Sequence, residues 1–230
     1  MSRKITAVVP VKKNSSRLPG KNLLPFGDST LLEQKIGQLK KVSVVSRIIV
    51  SSDSEEMLDK ALSMGVEAIK RPLDLADESR PLSDFFDYIC TLIDEGHLMW
   101  ACCTSPLFGV PLLRKAVSLY FEKLDEGFDS LITVTPFKHY LMDESKPLNY
   151  SLGQTHVNSQ YLPNLYVFTN GVLLAPIQDV KIWRYNYGEN PFRMEIGQAE
   201  AIDIDTYFDY LAARAWYDEI GDTEKVEGEV

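Results

Sequence analysis

Cysteine is scarce in this chain: three among 230 residues, Cys90 and the adjacent Cys102 and Cys103. Three cysteines make no disulfide framework, so a reducing cytoplasm is the expected compartment. Histidine is equally sparse, and His97, His139 and His156 have none of the spacings that hold a zinc ion. No apolar run approaches the roughly 20 residues that span a bilayer, so a membrane protein is not expected. The stretch Met1-Ser2-Arg3-Lys4 leads straight into an apolar, strand-like segment containing Pro10, with no cleavage-type ending, and does not read as a secretory signal. Basic residues are in deficit, 24 Lys and Arg against 33 Asp and Glu for a net charge of −9. Such a chain has no general basic face, which argues against nucleic acid or an anionic membrane as partner. Internal repeats and low-complexity segments are absent too.

What is present describes a folded globular protein: 45% hydrophobic, 25% charged and 10% aromatic residues. At this length one domain over 1–230 is expected. Ile5 to Val11 is a continuous apolar run with β-branched residues, the pattern of a strand buried on both faces. Arg47 to Ser51, Val66 to Ile69, Leu98 to Cys102 and Ser130 to Thr135 read as further strands. Leu165 to Ala175 reads as a strand pair turning at Asn170-Gly171. Thr30-Leu31-Leu32-Glu33 is a capping-box signature before apolar residues at helical spacing, and Asp53 with Glu56 suggests a second helix start. Ser83 is expected to cap a helix through Ile93, Pro111 to open one reaching Leu124, and Thr206 to Tyr217 to form the last. The tail from Gly221 to Val230 is polar. Strands alternating with helices of about 10–15 residues predict an α/β fold, a mostly parallel sheet sandwiched by helices. Residues 137–163 break that rhythm, as a functional or interface excursion would.

In an open α/β sheet, ligands bind beyond the carboxyl ends of the strands. The six basic residues before Asp28 are Arg3, Lys4, Lys12, Lys13, Arg17 and Lys21, with no acid among them. Most of them lie in the loop after the first strand, where Ser15 and Ser16 add hydroxyls, a combination suited to a small anionic ligand such as a phosphate. That loop is neither G-x-G-x-x-G nor G-x-x-x-x-G-K-[ST], so a Rossmann dinucleotide site or a P-loop is not expected. Asp53, after the second strand, is as well suited to a helix cap as to ligand contact. Thr104-Ser105-Pro106 is a hydroxyl-bearing turn. Asp203-Ile204-Asp205 places two carboxylates on one face of an extended segment, where they can share a hard cation that also binds phosphate oxygens; the same acids could merely favour a helix start. Cationic loop and acid pair together suggest nucleotide transfer.

Pro10, Ser15, Arg17, Lys21 and Asn22 match an opening pattern of roughly P-A-R-x-G-S-x-R-x-x-x-K-N. Ser51-Ser52-Asp53, Arg71-Pro72, Asp84, Thr104-Ser105-Pro106, Gln160, Tyr166, Asn170-Gly171 and Asp203-Ile204-Asp205 follow in order. In these residues the chain resembles the acylneuraminate cytidylyltransferase (CMP-sialic acid synthetase) family. Lys12 stands where that family places Arg, and Cys102 where many members have Gln. The resemblance implies a GT-A-like nucleotidyltransferase fold and the reaction of CTP with a nonulosonic sugar acid, giving a CMP-sugar and pyrophosphate. It implies Mg²⁺ on Asp203 and Asp205, with Lys21 and the Lys12 loop on the triphosphate and Asn22 and Ser83 or Asp84 near the cytidine. Arg71 would contact the nucleotide, Ser15, Arg17, Thr104 and Ser105 would belong to the substrate site, and Gln160 would line the sugar pocket. The family's habit of forming homodimers suits residues 137–163. An eight-carbon acid such as Kdo, or a nucleotide-binding relative without turnover, are the alternative readings.

Overall fold

The computed structural model describes residues 3–76 and 79–221, so the polar tail lies outside the described residues beyond Gly221. In chain order the elements are β1 (Ile5–Pro10), the small hairpin β2 (Pro25–Phe26) and β3 (Ser29–Thr30), α1 (Leu31–Lys40), β4 (Val45–Ser52), α2 (Glu55–Ser63) and β5 (Glu67–Lys70). There follow α3 (Leu82–Cys90), β6 (His97–Trp100), α4 (Val110–Asp125), β7 (Ser130–Phe137), β8 (Leu165–Pro176), α5 (Ile177–Trp183), β9 (Pro191–Glu195) and α6 (Tyr207–Ile220).

Seven strands form one sheet in the order β5-β4-β1-β6-β8-β7-β9. β1 pairs in parallel with β4 and β6, β4 with β5, and β7 with β9; only β8 runs antiparallel, against both β6 and β7. The expected mostly parallel sheet covered on both faces is what forms. Ile5, Ala7 and Val9 pack with Leu32, Met57 and Leu113, so α1, α2 and α4 cover one face. Val8 packs with Phe86, Ile89 and Val180 on the other, under α3 and α5. Burial on both faces is why β1 reads as an unbroken apolar run rather than an alternating one. A third apolar cluster, built on Phe26, Leu107, Ile204 and Tyr210, ties α6 and the segment before it to the body of the sheet.

The capping box at Thr30 and Glu33 forms as read. Three local expectations are corrected. Asp53 does not cap α2: the helix begins at Glu55 after Ser54, and Asp53 Oδ1 instead accepts from the Lys13 backbone N–H at 2.8 Å. Ser83 is not a cap either, because Pro81, fixed at φ −56 and extended in ψ, lets α3 begin directly at Leu82. Asn170-Gly171 is not a hairpin turn. β8 is a single strand with a register shift against β7 between Ile132 and Thr133, and a Cβ on Gly171 would stand 2.7 Å from the Phe108 ring and 3.0 Å from Thr133 Oγ1. That glycine serves a close approach within a bulge, not a turn. The excursion of residues 137–163 holds two short 3₁₀ turns, Gly153–Thr155 and Ser159–Tyr161, and an aromatic cluster of Tyr140, Tyr150 and His156.

Candidate active site

A cleft of about 450 Å³ opens beyond the carboxyl ends of β1, β5 and β6, where a parallel sheet leaves loops free to carry ligands. One wall comes from the loop after β1. Gly20, at φ 67, turns the chain into a short 3₁₀ turn that presents Lys21 and Asn22. Asn22 is buried; its Nδ2 donates to the Lys12 carbonyl at 3.0 Å, and its Oδ1 accepts from Cys103 Sγ at 3.2 Å. Asn22 therefore staples the start of the loop to the cleft floor. Lys12, Arg17 and Lys21 all line the cleft, whereas Ser15 is buried behind it.

The opposite wall carries the acid pair, fixed by α6 through a second capping box in which Asp209 accepts from the backbone N–H groups of both Asp205 and Thr206. Lys21 Nζ donates to Asp205 Oδ1 at 2.8 Å and to the Ile204 carbonyl at 3.0 Å, across 184 positions of sequence in the first case. Arg17 Nη2 reaches the second oxygen, Asp205 Oδ2, at 2.8 Å. Asp203 Oδ2 accepts from Asn170 Nδ2 at 2.7 Å. Its other oxygen, Oδ1, is buried and has no hydrogen-bond partner among the described residues. Cationic loop and acid pair thus meet in one cleft.

A buried carboxylate oxygen without a partner is costly, and a hard cation is one group that would satisfy it. No cluster of three or more His, Cys, Asp or Glu side chains able to hold a metal exists among the described residues. The Asp203 and Asp205 carboxylates are thus the donors this cleft offers a hard cation such as Mg²⁺, short of an all-protein cage.

Beyond the charged end, Phe85 and Trp100 form an aromatic wall with Leu75, Leu82 and Cys102 near it. Arg71 lies 4.2 Å above the Phe85 ring. Its Nη2 donates to the Val11 and Ser51 carbonyls at 3.1 and 2.7 Å, so the guanidinium pins β1 to β4 as well as lining the cleft. Burial pulls its pKa down to about 10, so it remains cationic at neutral pH. Burial pushes the Cys102 thiol up and the Cys103 thiol up to about 12, so neither is a thiolate nucleophile near neutrality.

The remaining sequence candidates are placed as follows. Thr104 lines the cleft and accepts from the Ile204 N–H at 2.8 Å. Ser105 is buried beneath it, its hydroxyl donating to the Asn170 carbonyl at 3.1 Å. Ser83 and Asp84 sit on the first turn of α3 outside the lining, and Asp84 is engaged by Arg80 and Arg184. Gln160 is exposed on the excursion, away from the lining. Arg80 lines the cleft and was not singled out by the sequence, where nothing distinguishes it from a solvated charge before a helix.

The Cytidylyltransferase family profile matches residues 6–143. The chain is 25% identical over 224 residues, 93% of its own length, to the N-acylneuraminate cytidylyltransferase of Escherichia coli O18:K1:H7, of which it spans 52%. To the CMP-N,N'-diacetyllegionaminic acid synthase of Legionella pneumophila it is 29% identical over 143 residues, 62% of this chain and 50% of that one. The chain thus spans about half the length of these curated relatives. Among solved structures, a CMP:2-keto-3-deoxy-manno-octonic acid synthetase complexed with CTP superposes with a TM-score of 0.66 at 12% identity, over 94% of this chain and 99% of that one. The 4-diphosphocytidyl-2C-methyl-D-erythritol synthase of Anaerococcus prevotii gives 0.66 at 13% identity, over 94% and 99%. At those identities the likeness is one of fold.

Proposed function

This chain belongs to the cytidylyltransferase family, and from that premise we propose that it transfers CMP from CTP to the anomeric hydroxyl of a nonulosonic, sialic-type sugar acid, releasing pyrophosphate. The observation that carries the reading is the contact of Lys21 and Arg17 with Asp205 at 2.8 Å each, which brings the cationic loop against the acid-bearing segment. Support also comes from the two ends of the cleft, one charged and one aromatic, which suit the phosphates and the base of a single nucleotide.

In this reading the sugar hydroxyl oxygen bonds to the α-phosphorus and its O–H bond breaks, the proton passing to solvent water, while the bond from that phosphorus to the bridging oxygen breaks and pyrophosphate leaves with the electron pair. Lys21 and Arg17 neutralise Asp205 until a triphosphate enters, then exchange the carboxylate for phosphate oxygens. Their charge falls where negative charge collects on the leaving pyrophosphate. Asp203, held by Asn170, and Asp205, released by its cations, are the residues that would hold Mg²⁺. The ion would supply Lewis-acid neutralisation of the phosphate oxygens. Lys12 completes the triphosphate wall, and Arg71, stacked on Phe85, borders the nucleoside. The chain works in the cytoplasm as a homodimer assembled through residues 137–163, where Met142, Leu152 and Tyr161 are 61%, 71% and 71% exposed.

Pyrophosphate release measured across CTP, UTP, ATP and dTTP with a panel of nine-carbon and eight-carbon sugar acids tests the proposal. Turnover confined to CTP with a nine-carbon acid is the expected result. Preference for Kdo would move the acceptor to the eight-carbon class. CTP binding without turnover on any acid would overturn the catalytic reading.

A further inference from the structure

Directly beneath the cleft, a lysine is buried with no acid beside it. Lys35, on α1, is 0% exposed, and its Nζ donates to the carbonyls of Ser105 and Phe108 at 3.0 and 3.1 Å. One turn along the same helix, Gln38 Nε2 donates to the Pro106 carbonyl at 2.8 Å. Among the described residues the titratable groups that act on Lys35 are the thiols of Cys103 and Cys102, both uncharged near neutrality. A desolvated ammonium without a carboxylate costs several kcal/mol that a Met or Leu at the same site would not. Packing alone therefore does not account for it.

What the ammonium holds is the turn after β6. Three carbonyls of that turn, from Ser105, Pro106 and Phe108, are bound by α1. The other side of the turn holds the acid pair. The Thr104 carbonyl accepts from the Ile204 N–H at 2.8 Å, between the two aspartates. The Ser105 hydroxyl binds the Asn170 carbonyl at 3.1 Å, and Asn170 Nδ2 binds Asp203 at 2.7 Å. One chain of hydrogen bonds thus runs from the buried cation through Ser105 and Asn170 to Asp203, and the neighbouring Thr104 carbonyl of the same turn holds the Ile204 backbone next to Asp205.

We infer that Lys35 is a positioning residue: it clamps the 104–108 turn and through it sets where the Asp203 and Asp205 carboxylates face the cleft. The inference rests on the reading of those carboxylates as the metal and phosphate end of the site. It does not touch substrate, and its effect is local to the segment that Thr104 and Asn170 hold.

Amide hydrogen exchange resolved by residue tests this without any turnover. In Lys35→Met, which keeps an unbranched side chain one atom shorter and removes its donors, the Ile204 amide should exchange about tenfold faster or more, while core amides such as Val8 and Met99 stay within about twofold of wild type. In the same variant kcat should fall at least tenfold, with the KM for CTP moving less than threefold, because the cationic loop is untouched. Unchanged protection at Ile204 would overturn the inference. So would a uniform acceleration of all amides, which marks a packing residue and nothing more. Lys35→Gln, read by the same criteria, stands in if the Met variant does not fold. Should wild type turn over no CTP and sugar-acid pair, the proposed function fails, while the exchange comparison still decides the clamp.

Discussion

Asp205 is the residue at which binding and catalysis should respond in opposite directions. Its two oxygens hold Lys21 and Arg17, both at 2.8 Å, with the Lys21 side chain 14% exposed and that of Arg17 64% exposed. Asp205→Asn removes the charge and keeps the shape. A triphosphate entering without divalent ion then no longer has to draw Lys21 away from a carboxylate, a gain of about 1 kcal/mol for a partly buried pair and little from the exposed Arg17. It also escapes repulsion from that carboxylate, worth about 1 kcal/mol at 4 Å in a largely aqueous cleft. The sum, about 2 kcal/mol, corresponds to a roughly 30-fold tighter Kd for CTP in chelator-treated buffer. Turnover with Mg²⁺ should fall about 100-fold or more, since one of two carboxylates for the ion is gone. Calorimetric titration of CTP in EDTA, paired with pyrophosphate release in Mg²⁺, reads both. Weaker metal-free binding in the variant would refute the reasoning, because it would mean that the ion pairs do not compete with the triphosphate.

Arg71→Met should lower thermal stability, since it strips donors from the Val11 and Ser51 carbonyls and the cation from the Phe85 ring; a loss of about 2–4 kcal/mol corresponds to roughly 5–15 °C in Tm, and an unchanged Tm would disprove the pinning role. Gly171→Ala should cost about 1–3 kcal/mol by driving a methyl group into Phe108, measurable by urea denaturation, and a neutral outcome would show that the bulge relaxes. Lys35 carries a pH signature. Burial lowers its pKa from 10.5 to about 8, so between those values the unfolded chain binds the proton that the folded chain has lost, and this group adds stability as pH rises from about 8 to 10.5. Relative to Lys35→Met, wild type should gain about 3 kcal/mol over that window; a flat difference would contradict the buried charge.

The sheet was legible because β1, buried on both faces, is an unbroken run of Ile, Ala and Val, and because Thr30 with Glu33 marks a helix start by itself. The cleft was legible through a rule of position: ligands gather beyond parallel strand ends, so Lys21 and Asp205 could be assigned to one site despite their distance in sequence. Tertiary contacts hid the rest. Asn170-Gly171 carries a turn signal, yet Gly171 is there for the Phe108 ring. Asp53 looked like a cap, but its partner is the Lys13 backbone, 40 positions earlier. β9, Pro191–Glu195, joins the edge of the sheet beside β7 and mixes Arg193 and Glu195 with apolar residues, too little of a pattern to read. Lys35 and Gln38 stand among the apolar residues of α1 with no signal of their own in the sequence, and only the fold reveals carbonyls of a distant turn beside them. Gln160 and Asp84, carried over by resemblance, lie off the cleft lining of this chain.

A crystal soaked with CTP and Mg²⁺ addresses the core of the account in one measurement. The expected density places the phosphates between Lys21, Arg17 and Lys12, the ion against Asp203 and Asp205, and the base toward Phe85 and Trp100. A nucleotide bound elsewhere, with the Lys21–Asp205 contact intact and the cleft empty at saturating CTP, would contradict it.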